Sequence, residues 1–217
     1  GLVLSMIEAV QSEGLAEYCD VFVEKGAFTA KEAERILVKA KSGGLKLKLH
    51  AGEFNDIGGV ELGVKIKATS IDHLEHISAR GIKMMAKTKT VGVLMPGVPF
   101  HLMTGVYAPA RKLIQAGVPI ALATDYNPGS SPTLSMPMIM ALACREMKLS
   151  PAEAINAATI NAAFALDRAD EIGSLEPGKK ADMLILNIRH HQQLPYWFGM
   201  NPVEQIIKDG KVLYPKG

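Results

Sequence analysis

The chain has 217 residues and a formal net charge of +2, with 48% hydrophobic and 21% charged residues. That length suits one large domain or one and a half, and that balance suits a packed core and excludes extensive disorder. No block of five like charges occurs and every apolar stretch is broken well short of the ~18 residues a membrane span needs, so neither nucleic acid nor a membrane is expected as a partner. The two cysteines, Cys19 and Cys144, are too few for a disulfide scaffold and suit a reducing, cytoplasmic setting. The chain opens Gly1-Leu2-Val3, without an initiator Met or a signal peptide, and is expected to be part of a longer protein.

Short apolar runs and helical spacings alternate along the chain. Buried strands are expected at Cys19–Val23, Leu45–Leu49, Ala68–Ile71, Thr90–Met95 and Val118–Ala123. Thr29-Ala30-Lys31-Glu32 is a capping box, followed by an apolar face of Ala33, Ile36, Leu37 and Ala40 and stopped by Gly43-Gly44. Ser78 to Lys87 places Ile82, Met85 and Ala86 on one helical face, and Ala108 to Ala116 turns Leu113 and Ile114 inward. Ser150-Pro151-Ala152-Glu153 is a second capping box with Pro at the first helical position. Repeated strand–helix alternation predicts an α/β fold with a parallel sheet, either an open doubly wound sheet or a (β/α)8 barrel. Beyond residue 171 the character changes. A turn-rich stretch leads to a strand at Ala181–Asn187, and Val203–Lys208 and Lys211–Tyr214 flank the hairpin signal Asp209-Gly210. The expected organisation is therefore a barrel-like part, 1–171, and strands of a small β domain, 172–217.

Polar residues follow several of the strands. The Leu45–Leu49 run leads into His50, with Glu53 three residues later. Ile71 leads into Asp72-His73. The run ending Ala123-Thr124 leads into Asp125, then Tyr126-Asn127-Pro128-Gly129-Ser130-Ser131. In a barrel, His50, His73 and Asp125 would converge at the C-terminal ends of the strands. Imidazole and carboxylate are ligands for Zn²⁺ or Fe, and a carboxylate beside a metal-activated water accepts its proton. Taken singly, each has a plainer reading: a hydrogen-bonded structural histidine, a turn aspartate, a loop into the next helix. His76 reads as a surface or supporting residue, and His101 as a loop residue. His190-His191 are read as non-ligands, because neighbours on a strand point apart. Met136, Met138, Met140 and Met147 read as core, Cys144 as a buried helix residue, and Lys46 and Lys48 as snorkelling charges.

His50-Ala51-Gly52-Glu53-Phe54, Ser70-Ile71-Asp72-His73-Leu74 and Leu122-Ala123-Thr124-Asp125-Tyr126-Asn127-Pro128-Gly129-Ser130-Ser131 resemble the metal-dependent amidohydrolase superfamily, and within it the imidazolonepropionase family. Asp20-Val21-Phe22-Val23-Glu24-Lys25-Gly26 resembles that family's fourth barrel strand. Gly173 to Asp182 resembles the link back into its small β domain. The resemblance covers nearly the whole chain but only the C-terminal half or so of the family's length. It implies about strands 4–8 of a (β/α)8 barrel. It implies one Zn²⁺ or Fe ion, with His50 and Asp125 as two of its ligands; the family's His-x-His pair has no counterpart in these 217 residues. It implies hydrolysis of the cyclic amide of 4-imidazolone-5-propanoate to N-formimidoyl-L-glutamate, a step of histidine degradation. Asp125 would accept the water's proton. His73 would orient the nucleophile or polarise the carbonyl. Glu53 would hold the ring and deliver a proton to the leaving nitrogen. Asn127, Gly129 and Ser130 would contact the small-molecule substrate. The active enzyme expected is the full-length protein, with a homodimer left open and the isolated chain inactive. The alternatives are another amidohydrolase of cytosine- or guanine-deaminase type, a non-catalytic α/β module, and a chain that works with a separately encoded N-terminal half.

Overall fold

The structure, a computed structural model, describes residues 2–214. Two compact units divide these: residues 2–94 with 112–119, and residues 95–111 with 120–214.

The first unit begins with helix α1 (Leu2–Glu13) and strand β1 (Tyr18–Val23). Helix α2 (Ala30–Ser42), β2 (Lys46–Ala51), α3 (Gly59–Ile66), β3 (Ser70–His73), α4 (Ala79–Met85) and β4 (Val91–Leu94) follow. These four strands pair in parallel in the order β1-β2-β3-β4, with Phe22 beside His50 and His50 beside Asp72. The Thr29 capping box forms as its sequence predicts: Thr29 Oγ1 accepts the Glu32 amide at 3.3 Å, and the Glu32 carboxylate accepts the Thr29 amide at 2.9 Å. Ala33, Ile36, Leu37 and Ala40 pack against Val21, Val23, Leu47 and Leu49 in the core of this unit. Leu37 and Leu49 are fully buried, each contributing about 1.5–3 kcal/mol on removal from water. In β2 the alternation is clean: Leu47, Leu49 and Ala51 are buried, whereas Lys46 is exposed and Lys48 and His50 are half-buried. The Nζ atoms of Lys46 and Lys48 both lie 5.7 Å from the Tyr18 ring centroid.

Two helices here have little sequence signal. Helix α1 has no acidic residue in its first turn and no basic residue in its last. Helix α3 starts behind Gly58, a left-handed residue (φ 88°) with no side-chain cap, and carries two glycines that let it lie close to the sheet. Strand β2 runs on through His50 and Ala51, two residues past its apolar run.

The second unit takes in α5 (Gly97–His101), and α6 (Ala110–Gln115) runs across its boundary with the first. Then come β5 (Ile120–Leu122), α7 (Met136–Arg145), α8 (Pro151–Ala158) and α9 (Ile160–Ala165). Asn161 Nδ2 donates to the carbonyl of Ile120 at 2.8 Å, tying α9 to β5. Ser150 and Glu153 form the expected capping box, and Arg111 Nη2 donates to the Glu153 carboxylate at 2.8 Å. Met140 and Met147 are buried, Met136 and Met138 half-buried. Cys144 is half-buried rather than buried. Strand β6 (Met183–Leu186), the short helix α10 (Gln193–Tyr196), β7 (Val203–Lys208) and β8 (Lys211–Tyr214) complete the chain. The three strands form an antiparallel sheet in the order β6-β7-β8. Asp209 (φ 49°) and Gly210 (φ 76°) are both left-handed, as a two-residue hairpin of the primed type requires. His190 and His191 lie outside any strand, so the strand argument for their pointing apart fails: their ring centroids are 4.6 Å apart. Among the described residues no helix is long and apolar enough to cross a membrane.

Candidate active site

The first unit gathers Asp20, His50, Glu53, His73 and Glu75 toward the C-terminal ends of β1, β2 and β3. His50 comes from β2. Its Nδ1 lies 2.6 Å from Asp20 Oδ2, on β1. The register explains the contact: Asp20 and Phe22 share a strand face with Lys48 and His50, opposite the helix-covered face of Val21 and Val23. Phe22 meets the His50 ring edge-on at 6.3 Å. A histidine that donates from Nδ1 to a carboxylate carries its lone pair on Nε2, the tautomer and orientation that metal-binding imidazoles adopt.

His73 ends β3 and is 1% exposed. Strand parity alone would turn it with Ile71 toward the helices. Its φ of 81°, followed by 73° at Leu74, breaks the alternation, and its ring centroid lies 5.3 Å from that of His50. Such backbone in a non-glycine pair is costly and is concentrated at functional sites. His73 Nε2 lies 3.6 Å from Glu53 Oε2, and Nδ1 lies 3.7 Å from Glu75 Oε2. The second distance is too long for a hydrogen bond, and His73 Nδ1 and Glu75 Oε2 are both buried without a hydrogen-bond partner. Burial disfavours the imidazolium, but the carboxylates of Glu75 and Glu53 outweigh it and raise the His73 pKa above its ordinary value. Asp72, beside His73, is held high by burial despite the hydrogen bond from Ser70 Oγ at 2.7 Å.

In the second unit, Asp125 stands three residues past β5 in a left-handed conformation (φ 50°). Asn127 organises its loop. Asn127 Nδ2 donates to the Asp125 carbonyl (2.7 Å), to Asp125 Oδ2 (3.2 Å) and to Ser130 Oγ (2.9 Å). Asn127 Oδ1 accepts the amides of Gly129 and Ser130, both at 2.8 Å. Ser131 Oγ donates to the Thr124 carbonyl at 2.6 Å, and a Cβ on Gly97 would stand 2.8 Å from Ser131 Oγ. The loop is thus rigid from within, and Asn127 fixes the direction of the Asp125 carboxylate. His76 and His101 are exposed.

Sequence reasoning passed over Asp20, Glu24 and Glu75 as individual side chains. Strand parity could have found Asp20, the carboxylate on the face that carries His50. Glu24 and Glu75 lie in turns beyond strand ends, where parity no longer applies. Imidazole and carboxylate, offered by His50 and His73 in the first unit and by Asp125 in the second, are donor types that a divalent metal accepts. The buried, partly unsatisfied polar groups around His73 suit a site completed by a polar ligand or ion.

The pattern of the amidohydrolase family matches residues 22–213. The chain is 52% identical over 212 residues to an imidazolonepropionase of Geobacillus thermodenitrificans, covering 98% of this chain and 50% of that protein. It is 47% identical over 216 residues to an imidazolonepropionase of Alkaliphilus oremlandii, covering 100% of this chain and 51% of that protein. The chain therefore spans about half the length of the curated relatives it matches. Among solved structures, a zinc-bound adenosine deaminase from Xanthomonas campestris superposes with a TM-score of 0.79 at 20% identity, over 96% of this chain and 55% of that one. E. coli guanine deaminase superposes at 0.70 and 19% identity, over 87% of this chain and 52% of that one. At such identities the likeness is one of fold. The β/α alternation with an appended antiparallel sheet is that of a partial (β/α) barrel, and the chain belongs to the amidohydrolase family.

Proposed function

We propose that the chain is a segment of an imidazolonepropionase, which opens the cyclic amide of 4-imidazolone-5-propanoate to N-formimidoyl-L-glutamate. The observation that carries this reading is the identity of about half of all positions with imidazolonepropionases along essentially the whole chain. His50 and Asp125 would each serve as a ligand of a Zn²⁺ or Fe ion. When bound, the ion supplies the Lewis acidity that makes water nucleophilic near neutral pH. Asp125, aimed by Asn127, takes the water's proton. His73 directs its ring at the carbonyl as negative charge develops there, and a raised proton affinity suits that role. Glu53 hydrogen-bonds the ring and delivers a proton to the departing nitrogen as the C–N bond breaks. Asn127, Gly129 and Ser130 line the substrate, with the Ser130 hydroxyl as the loop's rotatable donor.

The test compares two variants of the full-length protein. Glu53→Gln keeps the shape and loses the ionisable proton. It should lower kcat by about 10²–10⁴ while metal content stays at the wild-type level. His50→Ala should lose metal and activity together. Wild-type turnover by Glu53→Gln on imidazolone propionate would remove Glu53 from the chemistry. Another amidohydrolase activity, of deaminase type, is the second reading. Turnover of a nucleobase and not of imidazolone propionate would establish it instead.

A further inference from the structure

Glu24 follows β1, outside the set of residues assigned above, and is 3% exposed. A buried carboxylate needs donors, and this one has four. Its Oε1 accepts the Lys25 amide (2.8 Å) and Asn55 Nδ2 (3.0 Å). Its Oε2 accepts the amides of Phe54 and Asn55, each at 3.0 Å. The last three donors belong to the loop after β2, and the Phe54 N–H is part of the peptide bond that leaves Glu53. On the other side of Glu53, the Gly52 carbonyl accepts the His76 amide at 2.8 Å and the Ala51 carbonyl accepts that of Leu74 at 3.2 Å. Gly52 makes the turn with φ 72°. Glu53 thus sits between two pinned peptide groups, one held by Glu24 and one by the end of β3. Its side chain, 9% exposed, lies against His73.

We propose that Glu24 is a positioning residue: it acts through the backbone of Phe54 and Asn55 to hold the Glu53 carboxylate at the His73 ring and the reacting amide. The inference rests on the reading of Glu53 as the proton-carrying group. Only a carboxylate fits the role. Glutamine in its place would set an NH₂ group against N–H donors and free one side of the clamp. A displacement of about 1 Å at a reacting group costs on the order of 10²-fold in rate.

The experiment uses the full-length protein and three variants: Glu24→Gln, Glu53→Gln and the double variant. In Glu24→Gln, amide exchange at Phe54 and Asn55 should speed up at least ~10-fold while β1 and β2 keep their protection. Metal content should stay unchanged. The kcat should fall roughly 10–100-fold with a smaller change in KM. The double variant should be no slower than Glu53→Gln alone, because Glu24 acts only through Glu53. Unchanged exchange at Phe54 and Asn55, or losses that multiply in the double variant, would overturn the inference and leave the reading of Glu53 standing. A fully active Glu53→Gln would overturn both. If Glu24→Gln does not fold, Asn55→Ala, which removes one of the four donors, is read by the same exchange and kinetic criteria.

Discussion

Gly59 brings helix α3 against β1 and β2, two of the strands that carry the site. A Cβ built on it would stand 2.6 Å from the Ala51 Cβ, and 3.1 Å and 3.2 Å from Val23 Cγ1 and Cβ. Carbon atoms rest at about 3.5–4.0 Å, so Gly59→Ala forces a retreat of roughly 1 Å. Neither neighbour can swing aside. The Ala51 methyl is fixed directly to β2, and Val23 is stiff at χ1 and fully buried. Overpacking of this kind costs about 1–3 kcal/mol. The helix-propensity gain of Ala over Gly is at most ~1 kcal/mol and smaller at a first-turn position. A net loss of about 1–2 kcal/mol is expected, read as a lower urea midpoint with an unchanged slope. The second half of the cycle is Ala51→Gly. Alone it should cost ~0.5–1 kcal/mol as a glycine in a strand. In the Gly59→Ala background it should cost nothing or restore stability, since it removes the atom that clashes. Equal or higher stability of Gly59→Ala, or strict additivity of the pair, would refute the close-approach argument.

Asp20→Asn keeps the shape beside His50 but removes the charge that holds its ring. Metal affinity of the full-length protein, measured against a competing chelator, should fall about 10-fold, the low end for such partners because both side chains are partly exposed; wild-type affinity would dismiss Asp20. Ser150→Ala removes the N-cap of α8 and should cost ~1 kcal/mol by chemical denaturation. Burial pushes the Glu24 carboxyl up, but its N–H donors outweigh it and hold the pKa below the ordinary 4.5. Its contribution is therefore fully present above pH 4.5 and is lost as the pH falls through the lower folded value. Amide protection at Phe54 and Asn55 should thus persist from pH 7 to pH 5 and fail only at more acid pH; loss already near pH 6 would contradict this.

The elements legible in the sequence are those whose physics is local. The two capping boxes needed four residues each, the Asp209-Gly210 turn needed two, and both are realised. The strands β1 to β5 announced themselves as apolar runs, because both faces or one whole face of a parallel strand must be buried. His50, His73 and Asp125 stood out because each follows such a run. The ends of β2 and the whole of α3 were not legible. His50 and Ala51 are held in β2 by pairing with β1 and β3, and α3 is held by close packing of its glycines, not by propensity. The supporting carboxylates lay further out of reach. Asp20 meets His50 across strands 30 residues apart in sequence, and Glu24 meets Phe54 across a similar gap. His73 could not be aimed from its position in the strand, because two consecutive left-handed residues override the alternation. The sequence by itself determined which residue types stand at the ends of which strands, since hydrophobic period and capping act over a few residues. Only the tertiary structure decided which carboxylate holds which ring and which loop, because register, backbone conformation and the hydrogen bonds of buried charges depend on segments that meet only after folding.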